Sequence, residues 1–197
     1  SAASDVYKRQ FLDGSWLLII FAGNDTSRNS LSGTIRLMNQ FPDQRAMVLE
    51  DPQLIPRMSE EALRMVSPVI HMRRTALEDA EVNGQLIAKD EKLVLWYGAA
   101  NRDPDIFPRP DVFDMHRDNV EKHLAFGHGV HKCLGSRIAK MQLRLAFERI
   151  FERFPNIYWT GKQTIAPNAL VHAISSLQVN LYGKNAKRPA QIAVPRR

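Results

Sequence analysis

One cysteine, Cys133, stands in a chain of 197 residues. A single thiol forms no intrachain disulfide and builds no cysteine-rich zinc or iron–sulfur site. Freedom from disulfides suits a reducing compartment, so a cytoplasmic location is expected. Long apolar runs are lacking as well. The longest, Trp16 to Ala22, falls far short of the about 20 residues needed to cross a bilayer. No membrane anchor is expected, and no secretory signal pattern stands at the start. Acidic side chains are the minority charge, 21 against 27 basic ones, leaving a net +6. That excess is scattered rather than gathered in a run. It suits an acidic partner and gives no reason to expect a nucleic-acid ligand. Internal repeats and low-complexity tracts are absent.

What is present suits one globular unit, since 44% of the residues are hydrophobic, enough for a sizeable core. Residues 1–10 read as sequence foreign to the gene or as a disordered polar tail, and they are set aside from the fold. A long helical pattern runs from about Leu12 to Gln40 and ends at Phe41-Pro42, because proline disfavours helix at the residue before it. A short helix follows from Pro42 to Glu50. Another runs from Pro52 or Leu54 to Met65 and stops before Pro68. Val69 to Leu95 predicts short strands around the hairpin signal Asn83-Gly84. Trp96 to Leu124 predicts irregular chain. Ser136 to Phe154 predicts an amphipathic helix with Ile138, Met141, Leu145, Phe147, Ile150 and Phe154 as its apolar face. Ile165 to Leu181 predicts strands.

The chemistry concentrates around the lone thiol. Phe126-Gly127-His128-Gly129-Val130-His131-Lys132-Cys133-Leu134-Gly135 has the pattern F-x-x-G-x-x-x-C-x-G. Gly127 and Gly129 let the backbone turn tightly and approach a flat ligand, and Gly135 permits close packing as the chain enters a helix. The sulfur would sit near that helix's N-terminus, where the dipole favours a thiolate. One thiolate can serve as the single axial ligand of one metal centre. The alternative is a buried structural cysteine. Upstream, Ala22-Gly23-Asn24-Asp25-Thr26 lies inside the long helix, where glycine costs about 1 kcal/mol relative to alanine. Ala22 and Gly23 leave a groove against the backbone. Asp25 and Thr26 set a carboxyl and a hydroxyl side by side, which suits proton delivery. The alternative is an incidental glycine and a threonine bonded back to its own helix. Glu61 and Arg64, at i and i+3, are by themselves an ordinary helical ion pair.

Together these residues resemble the cytochrome P450 superfamily. The resemblance covers about Phe11 to Leu181 and implies a mainly α, α+β fold. Its parts are a long oxygen-groove helix, the Glu-x-x-Arg helix, small sheets, a meander, the cysteine loop and a following helix. It also implies that residues 11–197 are the C-terminal, haem-binding part of one catalytic domain whose N-terminal half is missing. The implied cofactor is haem b, iron protoporphyrin IX, with Cys133 as the iron ligand and thiolate ligation promoting O–O cleavage. Phe126 would pack on the proximal face of the porphyrin. Ala22, Gly23, Gly127 and Gly135 would lie against the haem, and Arg74, His123 and His131 would reach its propionates. Asp25 and Thr26 would be catalytic, Thr26 holding an ordered water and Asp25 linking it to solvent. Glu61, Arg64 and Arg117 would form a buried structural triad. Val69, Ile70 and His71, with Ile174 from the tail strands, would wall the substrate pocket. His116, His128 and His172 are left to surface or packing roles.

Gly23-Asn24-Asp25-Thr26-Ser27-Arg28-Asn29-Ser30, His71-Met72-Arg73-Arg74-Thr75-Ala76, Asn101-Arg102-Asp103-Pro104 and Met141-Gln142-Leu143-Arg144 look like soluble bacterial members that hydroxylate terminal methyls of alkanes and fatty acids. The resemblance therefore implies a monooxygenase acting on a hydrophobic small molecule, with electrons from NAD(P)H through ferredoxin reductase and ferredoxin. Sterol side-chain hydroxylation is the runner-up. A peroxygenase and a non-catalytic haem-thiolate protein are further alternatives. Lys132, Arg137 and Lys140 offer either a basic face for the ferredoxin or a merely solvated one. Residues 1–197 alone are expected to be inactive.

Overall fold

Helix α1 runs from Ala2 to Gln40 and is the longest element, about 58 Å at 1.5 Å per residue. It appears in a computed structural model that describes residues 2–184, with side chains from Asp5 onward. The helix starts ten residues before the pattern predicts. Only its C-terminal portion is packed. Asn29, Ser30, Thr34, Leu37 and Met38 are buried, whereas Phe11, Leu12 and every residue from Trp16 to Phe21 are exposed.

Helix α2, Pro42–Glu50, follows the break at Phe41, with Pro42 at its first turn where the missing N–H costs nothing. A 3₁₀ turn, Pro52–Leu54, leads into α3, Ile55–Val66. Met58, Glu61, Ala62, Leu63 and Arg64 are all buried on α3, the pattern of a helix enclosed on most sides. Gly33 of α1 fits against it so closely that a Cβ there would lie 2.5 Å from Val66 Cγ2. Ser67, in the left-handed region at φ 43°, ends α3 before Pro68.

The strands form three two-stranded antiparallel sheets. β1, His71–Thr75, pairs with β4, Lys92–Trp96, in the register His71 opposite Trp96 and Arg74 opposite Leu93. β2, Ala80–Val82, and β3, Gln85–Ile87, flank the Asn83-Gly84 turn. β5, Tyr158–Ile165, pairs with β6, Ile174–Asn180, with two register irregularities. Strand structure in the tail thus starts seven residues earlier than expected.

Between β4 and the cysteine loop the chain is irregular apart from α4, Tyr97–Ala100, and a 3₁₀ turn at Val120–Lys122. Helix α5, Ser136–Arg153, follows the loop. Its buried residues are Leu143, Phe147 and Phe151, at i, i+4 and i+8. This corrects half of the expected face: Phe147 is buried and Ile150 and Phe154 pack against the core, but Ile138, Met141 and Leu145 are exposed, because the packed elements lie on the side that Leu143 and Phe147 present. The main core joins the C-terminal part of α1 to α2, α3 and α5, with Phe113, Met115 and Ile157 filling between them.

Candidate functional site

The cysteine loop is set by short backbone bonds. Gly127 and Gly129 adopt φ of 68° and 74°, a region side-chain-bearing residues rarely occupy. Gly127 N–H donates to the Leu124 carbonyl at 2.9 Å and Lys132 N–H to the Gly129 carbonyl at 3.0 Å. A 3₁₀ turn, Gly129–His131, results. Cys133 N–H then donates to the Phe126 carbonyl at 2.8 Å, closing the loop three residues before α5.

Cys133 is exposed, so it is not a buried packing residue. Val130 and Leu134 beside it are 97% and 95% exposed. Two apolar side chains and a thiol thus face outward from one loop, which fits an apolar group resting there. A Cβ on Gly135 would lie 4.0 Å from the Cys133 sulfur and meet nothing nearer. Glycine there keeps that side of the thiol clear, and the protein packing itself does not require it. The donor set is one soft thiolate with no second sulfur. Among the described residues, no cluster of three or more His, Cys, Asp or Glu forms a separate metal site. One sulfur beside two exposed apolar side chains fits the haem that the resemblance implies, with Cys133 as the residue that would hold its iron.

Arg74 lines a cavity of about 520 Å³ together with Trp96, Leu124 and His128. Its Nη1 donates to the Arg73 carbonyl at 3.0 Å, and among the described residues Nη2 has no acceptor. His128, assigned no ligand role from sequence, comes into the same cavity. Its place in the loop was the available signal. His131 is exposed at the end of the 3₁₀ turn, where a donor can face an anionic edge.

His123 departs from the expected propionate set. It is 7% exposed, and both ring nitrogens have protein partners. Nδ1 accepts from Ala125 N–H at 3.2 Å, so Nε2 carries the proton and donates to Glu60 Oε2 at 3.1 Å. Lys140, half-exposed, also pairs with this carboxylate, its Nζ lying 2.5 Å from Glu60 Oε1. Burial alone would raise the Glu60 carboxyl. Hydrogen bonds from His123 and Lys140, with the Lys140 charge, outweigh that and hold it below its ordinary value. Lys132 and Arg137 remain exposed.

Glu61, Arg64 and Arg117 converge in the interior. Arg64 forks onto Glu61, with Nε to Oε2 at 2.7 Å and Nη2 to Oε1 at 2.8 Å. Arg117 Nε reaches Glu61 Oε1 at 3.3 Å, and Asp114 N–H donates to that oxygen at 3.1 Å. Arg64 Nη1 and Arg117 Nη1 take the carbonyls of Asn101 and Pro108, each at 2.7 Å, and Arg117 Nη2 takes those of Arg109 and Val112 at 3.2 and 3.1 Å. The two cations and one carboxylate are thus enclosed with their hydrogen bonds made, the condition for burying charge. They hold the meander against α3.

Ala22 to Thr26 are helical throughout. Thr26 Oγ1 donates to the Ala22 carbonyl at 2.7 Å, the back-bond that a threonine forms within its own helix. Its oxygen can still accept. Asp25 pairs with Arg28 at 3.4 Å on the surface. Ala22 and Gly23 are exposed, and nothing lies within 4 Å of a Cβ built on Gly23, so the groove is open. Ser27 Oγ donates to Gln142 of α5 at 3.4 Å, tying this stretch to the helix that begins beside Cys133.

The expected substrate wall divides. Ile70 and Ile174 line one cavity of about 570 Å³, but Arg36, Arg102 and His172 line it too, so it is not a purely apolar slot. Val69 bridges to Val171. His71 stacks edge-on against Trp96, ring centroids 4.8 Å apart, and reaches that cavity only through Trp96.

The model of the family described as cytochrome P450 matches residues 49–174. Linalool 8-monooxygenase of Pseudomonas putida is 42% identical over 176 residues, covering 89% of this chain and 43% of the relative. A methyl-branched lipid omega-hydroxylase of Mycobacterium tuberculosis is 36% identical over 166 residues, covering 83% of this chain and 39% of the relative. Among solved structures, cytochrome P450-153 from Novosphingobium aromaticivorans superposes with a TM-score of 0.79 at 42% identity, covering 84% of this chain and 42% of that one. The chain spans less than half the length of the relatives it matches.

Proposed function

The chain belongs to the cytochrome P450 family, and from that premise we propose that the complete protein is a haem-thiolate monooxygenase acting on the terminal methyl of an alkane or fatty acid. One oxygen atom of O₂ enters a C–H bond and the other leaves as water. Two electrons come from NAD(P)H through ferredoxin reductase and ferredoxin, and two protons from solvent. The haem, when bound, supplies the O₂ chemistry. The observation that carries the reading is the loop geometry: an exposed thiol, flanked by exposed Val130 and Leu134, fixed by the bond from Cys133 N–H to the Phe126 carbonyl.

Each remaining role belongs to side chains of this chain. Cys133 is the iron ligand. Arg74 and His131, with His128 added from the structure, are the donors for the propionates. Gly23 leaves room at the open face of α1. Thr26 accepts and passes a proton at Oγ1, and Asp25 connects that oxygen to solvent. Exposed Lys132 and Arg137 favour encounter with an acidic ferredoxin. Terminal attack is supported by the omega-hydroxylase among the relatives and by the sequence stretches around Gly23 and His71. A primary C–H bond is the harder one to attack, so the pocket must restrict which carbon arrives.

The test is the CO difference spectrum of the complete, haem-loaded protein, followed by product analysis on octane, dodecanoic acid and a sterol. The wild type is expected to show the red-shifted thiolate band, and Cys133→Ser to lose it. Products at terminal carbons of the first two substrates support the substrate class. Turnover of the sterol alone overturns that class.

A further inference from the structure

Glu60 and Glu61 are neighbours on α3, and each gathers partners from other elements. Glu61 holds the meander through Arg117. Glu60 receives His123, which precedes the cysteine loop, and Lys140, which lies on the helix after it. Both partners also flank one ring. The His123 and Phe126 centroids lie 5.8 Å apart at 44°, and Lys140 Nζ lies 5.6 Å from the centre of the Phe126 ring. The carbonyl of Phe126 in turn accepts the Cys133 amide at 2.8 Å. A continuous set of contacts thus runs from α3 to the backbone of the thiol.

We propose that Glu60, His123 and Lys140 form a positioning set that fixes Phe126 and, through its carbonyl, the Cys133 loop. Lys140 thereby serves the thiolate. The inference rests on the haem-thiolate reading and deepens it. His123 donates to a carboxylate and accepts a backbone N–H, so its ring cannot turn without losing one bond. The Lys140 ammonium lies over the Phe126 ring and on Glu60 at once, combining cation–π contact with an ion pair. Partners of this outer kind orient the group that binds the metal and tune its hold.

The test uses the complete haem-loaded protein and two readouts besides turnover: the share of the reduced CO complex at the thiolate-shifted position, and the rate of haem transfer to a scavenging apoprotein. Lys140→Met is expected to lower that share and to speed haem transfer roughly 10-fold, the lower end for losing an outer partner of a metal ligand. Lys140→Arg, which keeps the charge and the stem, is expected to restore both. Lys122→Met removes an exposed like charge beside His123 without touching Glu60 and is expected to match wild type in both readouts. Glu60→Gln is expected to shift both readouts in the same direction as Lys140→Met, and it decides alone should Lys140→Met not fold. Wild-type spectra and haem retention in Lys140→Met overturn the inference, whatever happens to ferredoxin-driven turnover. Failure of Lys140→Arg to restore them overturns it as well. A complete wild-type protein with no thiolate band overturns the haem reading itself, and this inference falls with it.

Discussion

Position 133 carries a thiol that the surrounding backbone presents outward, and position 26 carries a hydroxyl that its own helix holds. These two side chains bear the proposed chemistry in different ways. Cys133 needs no rearrangement to meet a ligand. Thr26 donates its proton to Ala22, so its relay depends on the lone pairs left over. Thr26→Ala is expected to leave the CO spectrum intact and raise several-fold the share of NAD(P)H electrons recovered as hydrogen peroxide. Unchanged coupling and rate would remove Thr26 from the proton path. Glu60 makes a separate acid-stability prediction. Its carboxyl titrates below the ordinary value of 4.5, so its ionised form stabilises the fold at every pH above that value. The contribution is lost as pH falls through the depressed value. Glu60→Gln is therefore expected to flatten the acid limb of a plot of urea midpoint against pH, measured on the complete protein.

Helix α3 carries more of the architecture than its 12 residues suggest. It buries Glu61 and Arg64, receives Arg117, and meets α1 at Gly33. Removing one partner of an enclosed charge pair leaves the other unpaired, so Arg64→Ala is expected to cost about 3–5 kcal/mol, read as a fall in the urea midpoint. Gly33→Ala pushes a methyl into Val66. The helix-propensity gain of about 1 kcal/mol is set against an overpacking cost of about 1–3 kcal/mol, and the net expectation is destabilisation. Val66→Ala in the same chain is expected to recover part of the loss, a non-additivity that contacting residues show. Equal and additive effects would mean the helices separate freely at that point.

At the scale of the whole molecule, two groups of exposed apolar side chains among the described residues lie on helices. One is the N-terminal stretch of α1, with Phe11, Leu12 and Trp16 to Phe21 exposed. The other is Ile138, Met141 and Leu145 on α5. Surfaces of this kind are covered in stable proteins, and the segment spans less than half of its relatives. Residues 1–197 expressed alone are expected to self-associate and to hold haem poorly, seen by light scattering and by the missing CO band. Leu17→Lys with Ile20→Lys is expected to reduce the association without restoring the band. A monomer with the full thiolate band would show that these faces need no cover.

The sequence by itself determined the cysteine loop, the Glu61–Arg64 pair and the order of the main elements. These are local matters: glycines where φ turns positive, an i, i+3 spacing on one helix, and prolines that end helices at Phe41 and before Pro68. Only the tertiary structure decided which carboxylate His123 and Lys140 meet, which face of α5 is buried, and that Ile70 shares its cavity with arginines. Each of those depends on a partner distant in the chain. His123 lies 63 positions from Glu60, and no periodicity within one element can announce a contact of that range.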